Sequence, residues 1–290
     1  MHMTCIVLIV ILSSIILART SFVKTKDVNH SVKMLLLTTF LLTFVPLSLV
    51  AYCVFLGIFD AATTEIGLEH YGEKPLVSIP WLMPLNTAVN FGYVVLGLYW
   101  IYFSKKNLPT KEQFFFHIFS WFAIIYGPAQ LMRFLTQSHH WAIIDQYYTL
   151  PIFAWVIPWA LHYTDSYTNQ KAILIEIASV LSYVLTLVTP IGFEIALGSH
   201  ILLVCIIGVN CYVKHQSKDA LRALILAVLN CGGFVVLKLL DLHLPKVHPF
   251  FERVSGHFLS KICDCLQIHY TLECFYAMYR TKSANEQKKR

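Results

Sequence analysis

Three ionisable side chains recur at helical spacing within one apolar segment near the end of the chain. His257, Lys261 and Asp264 stand at i, i+4 and i+7, a spacing that puts side chains on one face of a helix. An ionisable group inside a bilayer is costly, so it usually faces the protein interior, finds a partner and marks a site. The preceding apolar segment ends at Asp241, on the same helix face as Phe234. We expect the two faces to meet, with Asp241 near His257.

A purely structural interpretation of these residues stands beside the functional one. Side-chain contacts from His257 to Asp241 and from Lys261 to Asp264 would clamp the last two helices together without binding a ligand. We carry the functional interpretation forward and keep the clamp as its alternative.

The composition indicates a membrane protein. Of the 290 residues, 57% are hydrophobic and 13% are charged, whereas soluble domains carry about a quarter charged residues. Several runs approach the 20 or so apolar residues that cross a hydrocarbon core as a helix. A membrane barrel would show short alternating strands instead. The eight cysteines all fall inside apolar segments, which favours small buried residues over a disulfide framework. We therefore predict an all-α, polytopic membrane helix bundle.

The apolar runs divide the chain into three parts. Residues 1–33 combine a short apolar segment, 3–18, with a basic linker, and that segment is either a retained helix or a signal-peptide core. Residues 34–280 form the multi-pass bundle, and residues 281–290 form a basic tail whose composition is typical of disorder. The predicted spans are 34–59, 82–103, 114–135, 142–163, 172–190, 194–213, 220–240 and 257–278.

The positions of the basic residues predict the orientation. Most of the 22 Lys and Arg residues lie in the linker 19–33, in the segments 104–113, 163–171 and 214–222, and in the tail. Because cytoplasmic loops collect Lys and Arg, we predict that the linker and the C-terminal tail are cytoplasmic. Topology therefore accounts for the net charge of +6, and we expect membrane lipids rather than nucleic acid as partners.

This orientation brings polar groups from further spans to the level of Asp241 and His257, on the lumenal or outer side. Gln130 and Arg133 belong to a polar stripe at the end of the span 114–135, and Asp145 opens the next span. Polar groups gathered at one depth indicate a ligand pocket. The predicted lining is Asn86, Asn90, Gln130, Arg133, Asp145, Asp241, His257, Lys261 and Asp264.

Simpler explanations remain open for part of this lining. Arg133 would only pair with Asp145 or extend to lipid headgroups. Asp145, near a helix start, would serve as a helix-dipole or interface group. Asn86 and Asn90 would serve as hydrogen-bonding groups between neighbouring helices.

Several segments of the chain are similar to one known family. They are GIFD (57–60), GLEHY (67–71), YGPAQLMR (126–133), DQYYTLPIFAW (145–155), GFEIALGSH (192–200), GFVVLKLLD (233–241) and GHFLSKICDCLQIH (256–269). From about residue 50 to residue 270 the chain resembles the vertebrate transmembrane protein 187 family. The resemblance implies a multi-pass membrane protein and no particular activity.

A more distant similarity begins at residue 82. The motif LNTAVN (85–90), the motif GFVVLKLLD (233–241) and a His at the start of the last span resemble the seven-helix hydrolase superfamily of the alkaline ceramidases and the progestin and adipoQ receptors. The resemblance implies a ceramidase-like seven-helix core, here with one or two extra N-terminal helices.

That superfamily resemblance also implies a zinc site, built from a Ser and a His of the second helix, an Asp of the third and two His of the seventh. His257 matches the first ligand of the last helix, and Asp145 competes with Tyr148 for the Asp position. Lys261 stands where the second His belongs, and the second-helix Ser and His have no clean match. Zinc requires three neutral or anionic protein ligands beside an open position, so this departure disfavours zinc hydrolysis.

Three functional hypotheses follow. In the first, a degenerate polar site binds a lipid or small amphiphile. In the second, the protein is a zinc-dependent lipid amidase or other lipid hydrolase, with His257, Asp145 and Asp241 as catalytic candidates and His139 or His140 as a helper. In the third, it is a carrier that handles protons or ions through Arg133, Lys261, Asp264 and Glu176.

The orientation can be tested at a glycosylation sequon. Asn29-His30-Ser31 lies in the linker, and a cytoplasmic linker stays unmodified because N-glycosylation occurs on lumenal segments. We expect no mobility shift when protein expressed in mammalian cells is treated with an N-glycosidase. A shift that disappears in the Asn29→Gln variant would reverse the predicted orientation.

Overall fold

The computed structural model describes residues 32–75, 83–164 and 166–288, so the apolar segment 3–18 lies outside the described residues. Within these ranges the chain is all-helical. The helices of fourteen residues or more are α1 (Val32–Phe55), α2 (Pro84–Asn107), α3 (Thr110–Thr136), α4 (His139–Tyr163), α5 (Asn169–Ser182), α6 (Gly192–His215), α7 (Lys218–Leu240) and α8 (Gly256–Lys288). Short 3-10 turns cover Leu68–His70, Tyr183–Leu187 and Pro249–Glu252, and a single helical turn covers Leu244–Val247.

Each predicted span overlaps one of these helices, and several of the helices extend beyond the predicted bounds. Five stretches of the described chain are long and apolar enough to cross a membrane: Lys33–Phe55, Thr110–Thr136, Gln170–Leu187, Gly192–His215 and Lys218–Leu240. Helices α2, α4 and α8 are not among these five, although with 24, 25 and 33 residues they are long enough to cross a membrane. They carry buried polar side chains, including Asn86, Asp145 and Asp264, and these belong to the site described below.

The C-terminal tail differs from its prediction. Helix α8 continues without a break to Lys288, so residues 281–288 are helical rather than disordered. The segment TKSANEQK contains neither Gly nor Pro and is rich in residues with good helix propensity, and it extends a helix that is already nucleated by packing.

Short connections make consecutive helices antiparallel. The connections 108–109, 164–168 and 216–217 lie at one end of the bundle, which we call the basic end. The other end, which we call the site end, holds the connections 137–138, 188–191 and 241–255 and the described residues 56–75 between α1 and α2. Helices α2, α4, α6 and α8 therefore begin at the site end.

Helices α3 and α4 form the centre of the bundle, and their side chains are largely buried. Trp159 of α4 stacks on Phe275 of α8 with ring centroids 3.9 Å apart. Helix α1 packs on the outside of α3 and α4, where the Tyr148 hydroxyl donates to the Leu47 carbonyl at 2.8 Å. Helices α6 and α7 present exposed apolar side chains such as Leu202 and Leu229, which suits contact with lipid.

Glycine allows α2 and α3 to approach closely. A Cβ atom at Gly97 would lie 2.6 Å from the Ser120 carbonyl oxygen, which is a backbone atom that cannot turn away. At Gly198, in α6, a Cβ atom would meet nothing within 4 Å. The two glycines are therefore a matched pair for testing the α2–α3 contact.

We expect Gly97→Ala to destabilise the fold by about 1–3 kcal/mol, because the added methyl overpacks the contact. Gly198→Ala should be neutral or stabilising by up to about 1 kcal/mol, since Ala favours the helix. Thermal unfolding of both purified variants checks this, and equal melting temperatures would contradict close α2–α3 packing.

Candidate functional site

Asp241 joins three parts of the chain at the site end. Its Oδ1 atom accepts a hydrogen bond from the His257 backbone N–H at 2.7 Å, in the first turn of α8. Its Oδ2 atom accepts from the Gly72 backbone N–H at 2.8 Å. A carboxylate suits a helix N-terminus because unpaired N–H groups and the helix dipole both favour negative charge there. Burial raises the pKa of the Asp241 carboxyl, and the N–H groups of Gly72 and His257 act in the opposite direction.

Glu73, which follows Gly72 in the chain, accepts hydrogen bonds from the first turn of α2 as Asp241 does from α8. Its two carboxylate oxygens accept from the backbone N–H groups of Leu85 and Asn86, each at 2.9 Å. Burial raises the pKa of the Glu73 carboxyl, and these two N–H groups act against the rise. The connection between α1 and α2 is thus held to the start of α2 by Glu73 and to the start of α8 by Asp241.

The ionisable face of α8 points into the bundle, as its spacing predicted. Lys261 Nζ donates to the Tyr126 hydroxyl at 3.4 Å and lies 5.7 Å from the centre of the Phe234 ring. The Tyr93 hydroxyl donates to Asp264 Oδ2 at 2.6 Å. Both contacts tie α8 to other helices, so the predicted Lys261–Asp264 clamp is absent among the described ion pairs. Asp241 does meet His257, as the spacing predicted, but through the backbone N–H of His257 rather than its imidazole.

Arg133 and Asp145 form a buried ion pair between α3 and α4. Arg133 Nη1 lies 2.5 Å from Asp145 Oδ2, and Arg133 Nη2 donates to the Glu65 carbonyl at 3.2 Å. The simpler explanation of Arg133, a pair with Asp145, therefore holds for this contact. Lys261 also interacts electrostatically with Asp145, which places the pair beside the ionisable face of α8.

The imidazole of His257 packs against two aromatic rings. Its ring centre lies 5.0 Å from that of Tyr71 and 5.5 Å from that of Phe134. Its Nε2 atom is buried without a hydrogen-bond partner among the described residues. Burial raises the pKa of the Tyr71 phenol, and the positive charge of Arg133 opposes the rise.

Several more buried polar atoms of the predicted pocket have no hydrogen-bond partner within the described part of the chain. They are Asn86 Oδ1, Asn90 Oδ1, both amide atoms of Gln130, Arg133 Nε and Asp145 Oδ1. Buried polar atoms are nearly always paired, so each exception requires an explanation. Other atoms of this kind lie elsewhere in the bundle, including both imidazole nitrogens of His117. The group at the site end nevertheless indicates a place where a polar ligand or water completes the hydrogen bonding.

The predicted lining left out Lys238 of α7. Its ammonium interacts electrostatically with Arg133, Lys261 and Asp145, which places it in the same cluster. Its position three residues before Asp241 was the available signal, because that spacing puts both side chains on one side of α7.

An apolar cleft lies closer to the basic end than this cluster. Gln267, Thr271 and Cys274 of α8 line it, on the side of the helix that also carries Lys261 and Asp264. Helices α4, α6 and α7 supply the other walls, including Phe153, Val204, Cys231 and Val228, and the cavity measures about 60 Å³. Val228 is 44% exposed, so the cleft opens toward the outer surface of the bundle. Cys231 interacts electrostatically with Asp264 and so links the cleft to the polar cluster.

Asn86 and Asn90 fit only in part the simpler explanation that they form hydrogen bonds between neighbouring helices. The Asn86 amide donates to Ser255 Oγ at 3.4 Å, across to the connection before α8. The Asn90 amide donates to the Asn86 carbonyl of its own helix at 2.8 Å. Only Asn86 therefore bonds another element through these donors.

The donor set does not fit a zinc site built on His257 and Asp145. Asp145 is engaged by Arg133, and both oxygens of Asp241 accept backbone N–H groups. His139 and His140, the proposed helpers, begin α4 and face Asp60 instead. No group of three or more His, Cys, Asp or Glu side chains is placed to hold a metal ion among the described residues.

Comparison with known proteins now adds to this geometry. The model of the TMEM187 protein family matches residues 39–276. The chain belongs to the TMEM187 family. Transmembrane protein 187 from Homo sapiens is 38% identical over 224 residues, covering 77% of this chain and 85% of the human protein. Its counterpart from Bos taurus is 38% identical over 222 residues, covering 74% of this chain and 86% of the bovine protein. No solved structure matches the chain. This TMEM187 protein is therefore a multi-pass membrane protein, and the relatives' names assign no ligand.

We expect Asp241→Ala to destabilise this TMEM187 protein by roughly 2 kcal/mol or more, because it leaves two buried N–H groups without acceptors. It should also make residues 56–75 more sensitive to limited proteolysis, since the Gly72 contact is lost. Asp241→Asn keeps one side-chain carbonyl and should cost less.

Glu69→Ala is the matched control, because Glu69 is an exposed acid of the same connection. Thermal unfolding and protease mapping of the three variants provide the measurement. Equal effects of Asp241→Ala and Glu69→Ala would show that Asp241 does not hold the connection.

Proposed function

We propose that this TMEM187 protein binds a single-chain amphiphile. The polar end would lie among the side chains of the site end, and the hydrocarbon chain would follow α8 into the apolar cleft. One observation carries the proposal: the cluster of polar atoms and the apolar cleft line the same side of α8. His257, Lys261 and Asp264 belong to the first, and Thr271 and Cys274 belong to the second.

Because the cavity measures only about 60 Å³, a long chain would lie mainly along the open side of the cleft beside α8. From Lys261 to Cys274 the helix rises about 20 Å, at 1.5 Å per residue. A molecule that is polar at one end and apolar along the rest of that length matches the change in lining. Binding sites of this kind combine mostly apolar walls with a few placed polar groups.

Zinc-dependent hydrolysis receives less support from the same residues. Hydrolysis would require Asp145 or Asp241 to be free for a metal or for water, and each has other partners. A carrier role is also less well supported. Glu176, which that hypothesis uses, belongs to α5, and α5 packs against α4 rather than α8.

We further propose that α2–α8 correspond to the seven-helix core of the ceramidase-like superfamily. Helix α1 packs outside α3 and α4, which supports its assignment as an additional helix. In this proposal the basic end is cytoplasmic, in agreement with the distribution of Lys and Arg.

A cavity-filling variant tests amphiphile binding. Cys231→Phe adds bulk to the wall of the cleft, whereas Leu229→Phe places a similar ring at a side chain that is 65% exposed on the same helix. We expect native mass spectrometry of the gently purified protein to detect a bound amphiphile. Cys231→Phe should reduce its occupancy several-fold, and Leu229→Phe should leave it unchanged.

An equal loss in both variants, or no bound amphiphile when hexadecyl compounds are supplied in excess, would overturn the proposal. Near-identical melting temperatures of the two variants would exclude unfolding as the cause of a difference.

A further inference from the structure

We propose that the site selects an amphiphile with an anionic headgroup, a carboxylate or a phosphate monoester, held by Lys238 and Lys261. This inference rests on the proposed amphiphile binding and specifies the chemistry of the polar end.

Neither lysine forms a close ion pair within the described chain. No carboxylate oxygen of the described residues lies within 4.0 Å of Lys238 Nζ or of Lys261 Nζ, which is the ion-pair distance. Lys261 has one hydrogen-bond partner, the Tyr126 hydroxyl, although an ammonium group carries three donors. Buried cations are normally paired, because an unpaired charge in a low dielectric is expensive.

The carboxylates near these lysines form their hydrogen bonds and close ion pairs with other groups, and Asp145 and Asp264 attract Lys261 only at longer range. Asp145 pairs with Arg133, and Asp264 accepts from Tyr93. Asp241 and Glu73 accept backbone N–H groups at the starts of α8 and α2. An incoming anion would therefore meet two available ammonium groups without displacing an existing ion pair.

Two further buried donors belong to α3, near the Tyr126 hydroxyl that Lys261 contacts. The Gln130 amide nitrogen and Arg133 Nε are buried and have no acceptor within hydrogen-bonding distance among the described residues, although the Gln130 amide interacts with the Tyr126 hydroxyl. They stand four and seven residues after Tyr126, the partner of Lys261, so all three share one side of α3. One unpaired acceptor, Asp145 Oδ1, also belongs to the cluster and would face a hydroxyl or a protonated phosphate oxygen.

Along α7 and α8, the two lysines lie between the site end of the bundle and the cleft. Lys238 is on the last turn of α7, and Lys261 is in the second turn of α8. Phe234, which contacts the Lys261 ammonium, and Cys231, which lines the cleft, follow on α7 toward the basic end. A headgroup at the lysines therefore places its chain at the entrance of the cleft.

Four ligands with the same hexadecyl chain test the inference: hexadecanoate, hexadecyl phosphate, hexadecanol and hexadecylamine. Their affinities are measured for the full-length protein in nanodiscs at neutral pH. Because hydrogen bonds to charged groups are stronger than those between neutral groups, we expect at least one of the two anions to bind roughly tenfold or more tightly than the alcohol or the amine. The carboxylate and phosphate arms then identify which anion the site prefers.

Four variants separate the effect of the lysine charges on anion binding from any effect on the stability of the fold. Lys261→Gln and Lys238→Gln should each weaken anion binding roughly tenfold and leave hexadecanol binding unchanged. Lys261→Arg should restore the preference for the anion, because it keeps the charge. Lys246→Gln, at an exposed lysine near the same end, should change nothing.

The outcomes distinguish the two proposals. Equal binding of all four hexadecyl ligands, reduced by Cys231→Phe, would overturn anion selection while amphiphile binding stands. No binding of any of them would overturn both. An anion preference that survives Lys261→Gln and Lys238→Gln together would show that these lysines do not hold the headgroup.

Discussion

The site end of the bundle depends on two carboxylates that satisfy buried backbone N–H groups. Unpaired N–H groups at a helix start are tolerable in water but costly in a membrane protein interior. Asp241 pairs with the first turn of α8 and with Gly72, and Glu73 pairs with the first turn of α2. The adjacent residues Gly72 and Glu73 thereby fix one connection to two helices. The positions of His257, Lys261 and Asp264 follow from where α8 begins.

Periodicity predicted the part of the site that lies on single helices. The helical class, the inward face of α8 and the nearness of Asp241 to His257 follow from spacing and polarity alone. The partners could not be predicted in the same way, because they lie far apart in sequence. Asp264 meets Tyr93, and Asp241 meets Gly72, a backbone group with no signal in its side chain. A polar composition alone does not distinguish a disordered tail from the helical end of α8, although the helix propensity of these residues favours continuation of the helix.

The acidic side chains of the cluster are used to stabilise the fold, which explains why the cluster favours ligand binding over bond cleavage. Asp145 and Asp241 each have partners that serve the fold, whereas Lys238, Lys261 and the Gln130 amide hold donors to spare. A site whose acidic groups are committed and whose donors are available is suited to recognise a headgroup. Membership in the TMEM187 family assigns a membrane protein and leaves this chemistry to the residues themselves. The apolar cleft beside the cluster gives such a headgroup a place for its chain.

Photo-crosslinking tests the central claim, occupancy of the α8 face by an amphiphile, most directly. A long-chain carboxylate with a diazirine in the middle of its chain would be bound, irradiated and mapped by peptide mass spectrometry. The account predicts labels on cleft residues of α7 and α8, such as Cys231, Thr271 and Cys274, and competition by unlabelled hexadecanoate. Labels confined to outward residues such as Leu202 and Leu229, without competition, would contradict it.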